Sequence, residues 1–255
     1  MTLHADAMDM IERGALVVVN HSGGKDSQAM MIALSAIVPA DQLLVVHAHL
    51  PGVEWAGTWE HVQTSAAVHG VQAIQVQAGK TLLGMVEKRG MWPSATTRQC
   101  TSDLKRGPIE KAIRHHLKAN PQFGGMVISA MGLRAEESPA RSKQSPWKFD
   151  RMNSKAGRQW FRWLPILGWT RDQVFTAIRT AGQEPHWAYG AGMTRLSCCF
   201  CIMASRADLC TAARLQPGLY RQYADLEKRI GHTLAMDGRG IEEVTGIPAD
   251  LLVAA

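Results

Sequence analysis

A buried strand that breaks into a glycine-rich turn and then opens a helix most constrains the fold of this chain. Residues 15–19 are apolar and mostly β-branched, residues 22–27 have the sequence SGGKDS, and an apolar helical pattern covers residues 28–37. The first backbone N–H groups of such a helix have no partner within it, and its dipole places positive charge at the turn. The sequence therefore predicts an anion site within an α/β fold.

The six residues of this turn all suit a polyphosphate, and they are Ser22, Gly23, Gly24, Lys25, Asp26 and Ser27. The glycines let the backbone approach an anion, the hydroxyls donate hydrogen bonds, and the ammonium adds positive charge. The carboxylate of Asp26 is a predicted Mg²⁺ ligand, directly or through water, although an aspartate also suits a helix start for its dipole alone. The Walker pattern GxxxxGK[ST] is absent, which excludes an ordinary P-loop NTPase.

Composition narrows the class of protein and its partners. The chain has 255 residues, of which 46% are hydrophobic and 20% charged, with a net charge of +6. This predicts one α/β domain with a smaller appendage and a polyanionic partner, either a nucleotide or a nucleic acid. No apolar run approaches the ~18 residues of a membrane span. The acidic N-terminal residues do not resemble a signal peptide, so we expect a cytoplasmic protein without membrane contact.

Strand and helix patterns alternate along most of the chain. Apolar strand patterns cover residues 43–48, 73–77 and 126–130, with helical patterns over 54–70 and from Gly107-Pro108 onward. This rhythm predicts a doubly wound parallel sheet, Rossmann-like, whose ligands bind beyond the C-terminal strand ends. Residues 139–162 are basic and pattern-poor, which predicts a mobile loop or lid. We expect residues 1–205 to form the nucleotide-binding domain and residues 206–255 a small helical cap.

The cysteines form the second strong pattern. Four of the five lie within thirteen residues, and the full set is Cys100, Cys198, Cys199, Cys201 and Cys210. In a cytosolic chain such clustering favours a metal site, a cluster site or redox chemistry over structural disulfides. Thiolates suit iron–sulfur clusters and zinc, and catalytic or inert thiols remain alternatives. The candidate ligands are Cys100, Cys198, Cys201 and Cys210, with Cys199 directed elsewhere.

Several ordered segments resemble one enzyme family. The SGGKDS turn resembles the signature of the PP-loop ATP pyrophosphatases (adenine nucleotide alpha hydrolases), and four further segments resemble those of the phosphoadenosine-phosphosulfate reductase family within that superfamily. They are CTSDLKRGPI at 100–109, GLRAEESPAR at 132–141, LPILGWTRDQV at 164–174 and HWAYGAGMTRLSCCFC at 186–201. The likeness covers about residues 15–210 and is strongest for the branch that contains DNA phosphorothioation sulfur-transfer enzymes.

This resemblance implies ATP, Mg²⁺ and a [4Fe–4S] cluster as cofactors, and cleavage or activation of ATP between its α and β phosphates. The implied catalytic residues are Lys25, Asp26, Lys105 and Arg134. Developing pyrophosphate charge needs cations, so Lys105, Arg134 and Arg195 are predicted phosphate contacts. His47, at a strand end, either flanks the adenine or is a structural histidine.

Departures from the family pattern leave three functions open. Sulfonucleotide reductases are expected to carry a cysteine in an ECGxH-type tail, whereas no cysteine follows Cys210 here. ATP activation coupled to sulfur transfer is therefore the main prediction, with sulfonucleotide reduction and non-catalytic nucleotide binding as alternatives. In the main prediction, the acceptor is a nucleic acid (DNA or tRNA) or another molecule, and a donor protein is the candidate source of the sulfur. The sequence leaves open whether the protein forms a homodimer. Trp160 and Trp163 lie in a basic stretch and either stack a base or belong to the core.

Overall fold

The computed structural model describes residues 3–252, whose backbone forms two compact units. The first unit contains the residues up to Ala48, then Gly57–Val76 and Ile109–His186. The second contains His49–Ala56, Gln77–Pro108 and the residues from Trp187 onward. Each unit is therefore assembled from segments that lie far apart in the sequence. The predicted division into a nucleotide-binding domain (residues 1–205) and a small helical cap (residues 206–255) stays a prediction.

A six-stranded sheet has the spatial order β3-β2-β1-β4-β6-β5. Its strands are β1 (Leu16–Asn20), β2 (Leu43–His49), β3 (Gln72–Gln77), β4 (Met126–Met131), β5 (Trp147–Phe149) and β6 (Gln159–Trp163). Strand β1 pairs in parallel with β2 and β4, β4 pairs in parallel with β6, and β5 runs antiparallel to β6. The predicted doubly wound, mostly parallel sheet is confirmed.

Helices make up most of the remaining regular structure. They are α1 (Ala5–Glu12), α2 (Lys25–Ser35), α3 (Thr58–Ala67), α4 (Leu82–Arg89), α5 (Gln99–Thr101), α6 (Gly107–Ala119), α7 (Pro139–Ser142), α8 (Arg171–Thr180), α9 (Trp187–Gly190), α10 (Arg206–Leu215), α11 (Pro217–Ile230) and α12 (Ile241–Thr245), with a π-helical turn at Ser102–Arg106. Within residues 3–252, none of them has the length and apolarity needed to cross a bilayer.

The central strands bury both of their faces. Val17 and Val19 of β1 pack in a cluster that also contains apolar residues of α1, α2 and α8. Leu16 and Val18 belong to a second cluster, with apolar residues of α6. Because side chains alternate along a strand, this division places helices on both faces of the sheet. Because both faces of β1 are buried, residues 15–19 form a continuous apolar run and do not alternate with polar residues.

The segment 139–162, predicted to be a mobile loop or lid, contains a short helix and a two-stranded hairpin joined by turns. It contains α7, β5 and most of β6. The sequence analysis did not predict strands β5 and β6, because aromatic side chains on one face of this hairpin alternate with cations on the other. Trp160 and Trp163 are both buried in the core, so the base-stacking alternative for them is wrong.

The second unit builds its core from all three of its segments. Its apolar cluster includes Trp55, Val86, Phe200 and Tyr223. The buried carboxylate of Glu227 accepts hydrogen bonds from the backbone N–H groups of Leu234 (2.5 Å) and Ile241 (2.7 Å), which fixes the chain between α11 and α12. The predicted helical C-terminal region is present as α10–α12.

Candidate functional site

The SGGKDS turn joins β1 to α2 in the first unit and is held by its own hydrogen bonds. The hydroxyl of Ser27 donates to the carbonyl of Gly24 (2.8 Å) and accepts from the backbone N–H of Ser22 (3.2 Å). Gly23 has a φ of 79°, a left-handed conformation that glycine adopts without strain. Within residues 3–252, no side chain caps the N-terminus of α2. The turn is thus rigid, with the dipole of α2 directed at it.

Two cations share the carboxylate of Asp26 at the start of α2. The Nζ of Lys25 lies 3.0 Å from Asp26 Oδ2, and the Nε of Arg134 donates to Asp26 Oδ1 at 2.5 Å. Arg134 also donates to Glu136, and only 4% of Arg134 and 2% of Lys25 are exposed. Burial would lower the pKa of Arg134, but the carboxylates of Asp26 and Glu136 outweigh it and raise that pKa. Arg134 is therefore a fixed positive charge beside the turn.

A close backbone approach at Gly132 brings Arg134 to this position. Gly132 directly follows β4, which lies beside β1 in the sheet. A Cβ at residue 132 would lie 2.8 Å from the carbonyl carbon and oxygen of Asp26 and 2.9 Å from the nitrogen of Ser27. Only glycine allows this contact between the end of β4 and the first turn of α2.

A group of histidines lies behind the turn in the first unit. The N–H of Gly23 donates to His21 Nδ1 at 3.0 Å. Burial, followed by the charges of His61 and His47, lowers the pKa of His21 to about 3, so its ring is neutral with the proton on Nε2. Within the described chain, neither His21 Nε2 nor His61 Nε2 has a hydrogen-bond partner.

His47 contacts the turn from the neighbouring strand. Its Nδ1 donates to the carbonyl of His21 at 2.9 Å, and its ring stacks on Trp59 with a centroid separation of 6.0 Å. His47 is buried and supports the backbone next to the turn. Its predicted contact with adenine stays a prediction.

The second unit gathers thiols around an ammonium group. Lys105 lies in the π-helical turn, Cys100 in α5, and Cys198 and Cys201 in the loop between α9 and α10. Burial would lower the pKa of Lys105, but the negative charges of Cys198, Cys201, Glu54 and Cys100 outweigh it and raise that pKa. Three cysteines that are up to 101 positions apart in the sequence therefore lie near enough to Lys105 to influence its charge.

Burial keeps the thiols of Cys198 and Cys199 protonated, which makes them poor nucleophiles. It raises the pKa of Cys198 to about 11, even though Lys105 acts in the opposite direction. Burial, with a smaller effect of Cys198, raises the pKa of Cys199 to about 12. Cys210, on α10, donates its thiol to the carbonyl of Thr245 at 3.4 Å.

Aromatic donors accompany the thiols in the core of the second unit. Tyr223 stacks on Trp92 with ring centroids 4.9 Å apart. Burial raises the pKa of Tyr223, and the charges of four cysteines raise it further. They are Cys198, Cys199, Cys201 and Cys100. Within residues 3–252, the hydroxyl of Tyr223 and Nε1 of Trp92 are buried without a hydrogen-bond partner. A buried donor without an acceptor is costly in a protein core unless a bound ligand accepts its hydrogen bond.

The predicted site residues are distributed between the two units. The first unit holds His47, Arg134 and the six residues of the turn. The second holds Lys105, the exposed Arg195 and the four candidate ligands Cys100, Cys198, Cys201 and Cys210. Near Arg195, the buried carboxylate of Asp208 accepts from the N–H and the hydroxyl of Thr194, both at 2.7 Å, and so anchors the cysteine loop to α10.

The sequence profile of the phosphoadenosine phosphosulfate reductase domain matches residues 16–204. The chain belongs to this family. That range contains the turn, Arg134, Lys105 and every cysteine of the chain except Cys210. The family confirms the resemblance drawn from the ordered segments and identifies the chain as a nucleotide-binding PP-loop protein.

Two uncharacterised proteins are similar in sequence to this phosphoadenosine phosphosulfate reductase family member. A 37.8 kDa protein of Escherichia phage 186 is 29% identical over 170 residues, which cover 67% of this chain and 49% of the phage protein. A protein of Methanocaldococcus jannaschii is 26% identical over 211 residues, covering 83% of this chain and 47% of that protein. The chain spans about half the length of each relative.

Two solved structures of nucleotide enzymes are similar to this chain at low sequence identity. Phosphoadenylyl-sulfate reductase from Candida auris, in a phosphate complex, is 12% identical with a TM-score of 0.45, over 78% of this chain and 97% of that one. FMN adenylyltransferase from Candida glabrata, with FMN and the ATP analogue AMPCPP, is 11% identical with a TM-score of 0.47, over 78% of this chain and 67% of that one.

Sequence reasoning did not single out three residues that shape these sites. His21 directly precedes the turn, and this adjacency in the sequence could have indicated that its ring accepts from the backbone of the turn, as it does from Gly23. Gly132 lies in a family segment, but its contact with Asp26 depends on which strands are neighbours. Glu54 lies in a predicted helix, whereas the structure begins α3 at Thr58 and directs Glu54 toward Lys105 and His49.

Proposed function

We propose that the protein binds ATP with its phosphates at the SGGKDS turn and cleaves or activates it between the α and β phosphates. The arrangement of Lys25, Asp26 and Arg134 carries this proposal, because two buried cations converge where the dipole of α2 is positive. A polyphosphate that enters the turn competes with Asp26 for these cations. Mg²⁺ arriving with ATP then offers Asp26 a replacement partner.

The chemical step transfers an AMP group. An oxygen of water or of an acceptor bonds to the α phosphorus, and the bond from that phosphorus to the bridging oxygen breaks. The electron pair leaves with pyrophosphate, where negative charge accumulates. Lys25 and Arg134 are fixed beside the turn before the reaction, so they stabilise this charge without reorganising. The phosphate contacts of Lys105 and Arg195 remain predictions from the family resemblance.

We further propose that Cys100, Cys198 and Cys201 hold a [4Fe–4S] cluster, which supplies a site for sulfur at an iron without a protein thiolate. The donor set fits because three thiols lie near enough to Lys105 to influence its pKa, and its positive charge would balance thiolates. The buried hydroxyl of Tyr223, which lies near enough to these thiols to interact with them electrostatically, would donate a hydrogen bond to a cluster sulfur. Cys210 stays a predicted fourth ligand; because its thiol donates to the carbonyl of Thr245, we propose it as the thiol that leaves one iron open for sulfur.

An assay of products tests the nucleotide proposal. The anaerobically purified protein is incubated with ATP and Mg²⁺, alone and with candidate acceptors, and the nucleotides are separated by chromatography. AMP with pyrophosphate, or an adenylylated acceptor with pyrophosphate, supports the proposal. ADP with phosphate contradicts it. Inertness toward ATP combined with reduction of a sulfonucleotide supports the alternative function, and tight binding without turnover of either supports a nucleotide-binding protein.

A further inference from the structure

Two carboxylates hold the guanidinium of Arg134 through different nitrogen atoms. Its Nε donates to Asp26 Oδ1 at 2.5 Å, and its Nη1 donates to Oε1 of Glu136. A guanidinium has five N–H donors, and these two contacts use two of them. Within residues 3–252 the Nη2 group has no partner, so three N–H donors remain for a ligand. The two carboxylates thus determine which part of Arg134 a ligand meets.

Glu136 has an anchor of its own in the first unit. Its Oε1 also accepts, at 2.8 Å, from the backbone N–H of Arg171, the first residue of α8. Thr170 and Gln173 form a capping box at the same helix start, which fixes the N–H that Glu136 uses. The hydrogen bond from Arg134 is the largest influence on the pKa of Glu136 and lowers it, so the carboxylate is charged at neutral pH.

The neighbouring carboxylate has a different role. Glu137 accepts from the backbone N–H of Arg134 at 3.1 Å, so it fixes the main chain, whereas Glu136 contacts the guanidinium itself. The backbone N–H of Ala135 donates to the carbonyl of Leu167 at 2.7 Å, which ties the same turn to the segment before α8. Because these bonds hold the main chain, loss of the Glu136 carboxylate should release the side chain of Arg134 and leave the turn in place.

This anchor becomes decisive when a nucleotide is bound. In the proposed function, Mg²⁺ that arrives with ATP gives Asp26 a new partner, so Asp26 no longer compensates Arg134. The carboxylate of Glu136 then remains as its protein partner. A charged side chain that is only 4% exposed needs such a partner, and a cation stabilises developing charge best when its position is fixed before the reaction.

We propose that Glu136 is a positioning residue of the nucleotide site, which holds the guanidinium of Arg134 toward the phosphates while Asp26 exchanges its partner for Mg²⁺. The inference rests on the proposed ATP reaction. Glu136 is itself negative and does not attract the nucleotide. Its contribution therefore falls on the rate of the chemical step and not on the affinity for ATP.

Turnover of ATP and binding of AMPCPP, an analogue that cannot be cleaved between its α and β phosphates, separate rate from affinity. Glu136→Ala removes both hydrogen bonds, and we expect kcat to fall at least ~10-fold while the Kd of Mg²⁺–AMPCPP stays within ~3-fold. Glu136→Gln keeps an oxygen for Arg134 and Arg171, so its kcat should stay within ~3-fold of the wild type. Asp9→Asn removes an exposed pair with Arg13 in the same unit and should change neither quantity.

Nitrogen NMR of the Arg134 guanidinium tests the positioning without turnover. A guanidinium that is held in place gives separate ¹⁵N signals for Nη1 and Nη2, whereas rotation about its Cζ bonds averages them. The spectrum of Arg134→Lys assigns these signals by their disappearance. With Mg²⁺–AMPCPP bound, we expect separate signals in the wild type, Glu136→Gln and Asp9→Asn, and averaged signals in Glu136→Ala.

Two results would overturn the proposal. The first is Glu136→Ala with full kcat, or with separate Arg134 signals. The second is a parallel fall of kcat, affinity and thermal stability in Glu136→Ala and Glu136→Gln, which would assign Glu136 a purely structural role. Wild-type protein that binds AMPCPP without cleaving ATP contradicts the proposed function instead, and the guanidinium signals then still decide whether Glu136 fixes Arg134.

Discussion

Asp26 forms ion pairs with both cations of the nucleotide turn, and this arrangement explains how the site can be folded before ligand binds. Lys25 and Arg134 are almost fully buried, and a buried charge without a partner is strongly destabilising. Asp26 compensates both of them in the free protein. In the same arrangement, ligand phosphates replace an existing ion pair. The net binding free energy that each cation contributes is therefore moderate.

Lys25→Ala therefore measures one charge-assisted contact with phosphate. We expect a loss of about 1.5–3 kcal/mol in ATP-analogue binding, equivalent to ~10- to 150-fold in Kd. Isothermal titration calorimetry gives the change, and Lys88→Ala serves as the control because Lys88 is exposed on α4. Equal affinity in the wild type and Lys25→Ala would contradict the assignment of the turn.

His21 predicts how stability depends on pH. Its pKa is about 3 in the folded protein, and that of an unfolded histidine is about 6.5. Below pH 6.5 the unfolded chain binds a proton that the folded protein does not, so stability falls as the pH drops from 6.5 toward 3. Between pH 7 and pH 5 the expected loss from His21 is about 2 kcal/mol.

The variant His21→Asn tests this dependence by urea unfolding at both pH values. Asparagine offers an oxygen to the N–H of Gly23 but does not titrate, so the loss on acidification should shrink by about 2 kcal/mol. His115→Asn, at an exposed position on α6, should keep the full loss. An unchanged pH dependence in His21→Asn would show that the folded ring is protonated in this range.

At the scale of elements, the contact between β4 and α2 aligns the two halves of the nucleotide site. The backbone of β4 can approach Asp26 only because residue 132 has no Cβ. The element that carries Arg134 is thereby fixed against the helix whose N-terminus binds the anion. A small displacement between these elements would separate the guanidinium from the turn.

Gly132→Ala should therefore weaken nucleotide binding although no ligand-binding side chain is changed. The added Cβ meets backbone atoms at 2.8–2.9 Å, so β4 or α2 must shift, at a stability cost of about 1–3 kcal/mol. Gly168→Ala is a matched control in the same unit, since nothing lies within 4 Å of a Cβ there. Thermal unfolding and ATP-analogue titration of both variants provide the measurement. Full binding by Gly132→Ala would rule out this alignment.

The cysteine loop makes the cluster proposal specific at the level of single thiols. We expect anaerobically purified wild type to be brown, and Cys198→Ser or Cys201→Ser to lose most of its iron and its visible absorbance. Cys199→Ser should keep both, because Cys199 is not among the proposed ligands. Cys210→Ser should also keep them, because the wild-type thiol of Cys210 donates to Thr245 and is not among the three proposed ligands. Iron and sulfide analysis decides, and protein that contains zinc without iron would contradict the proposal.

At the scale of the whole molecule, the second unit is assembled from three separate segments. Residues 49–56 supply Val53 and Trp55 to its core, and the helical C-terminal region supplies Tyr220 and Tyr223. The hydroxyl of Tyr220 also bonds to Thr245 at 2.6 Å. The C-terminal region thus completes a core that begins far earlier in the chain.

Limited proteolysis near residue 205 should therefore not release residues 206–255 as a stable folded fragment. A cut there removes the aromatic side chains that cover Trp55 and Phe200, so both products should lose protection together. Mass spectrometry of timed digests gives the fragments. A protease-resistant, cooperatively unfolding fragment from this region would show that it is an independent domain.

Local patterns in the sequence determined the sheet, the nucleotide turn and the family. Strands β1, β2 and β4 were predictable because apolar β-branched runs have few alternatives, and the turn because its glycines, hydroxyls and charges are adjacent. Strands β5 and β6 were not predictable, because a half-exposed hairpin with cations on one face has a weak local pattern. The burial of Trp160 likewise follows from the packing of α6 against β6.

Contacts between distant residues were decided only by the tertiary structure. The sequence identified the cysteines, but the fold directs the thiol of Cys210 to Thr245 and places Lys105 among the other three. It identified Arg134, but the approach of Gly132 to Asp26 brings that guanidinium to the turn. The physical reason is that spacing along the chain fixes only local geometry, whereas charge pairing and burial depend on which elements become neighbours.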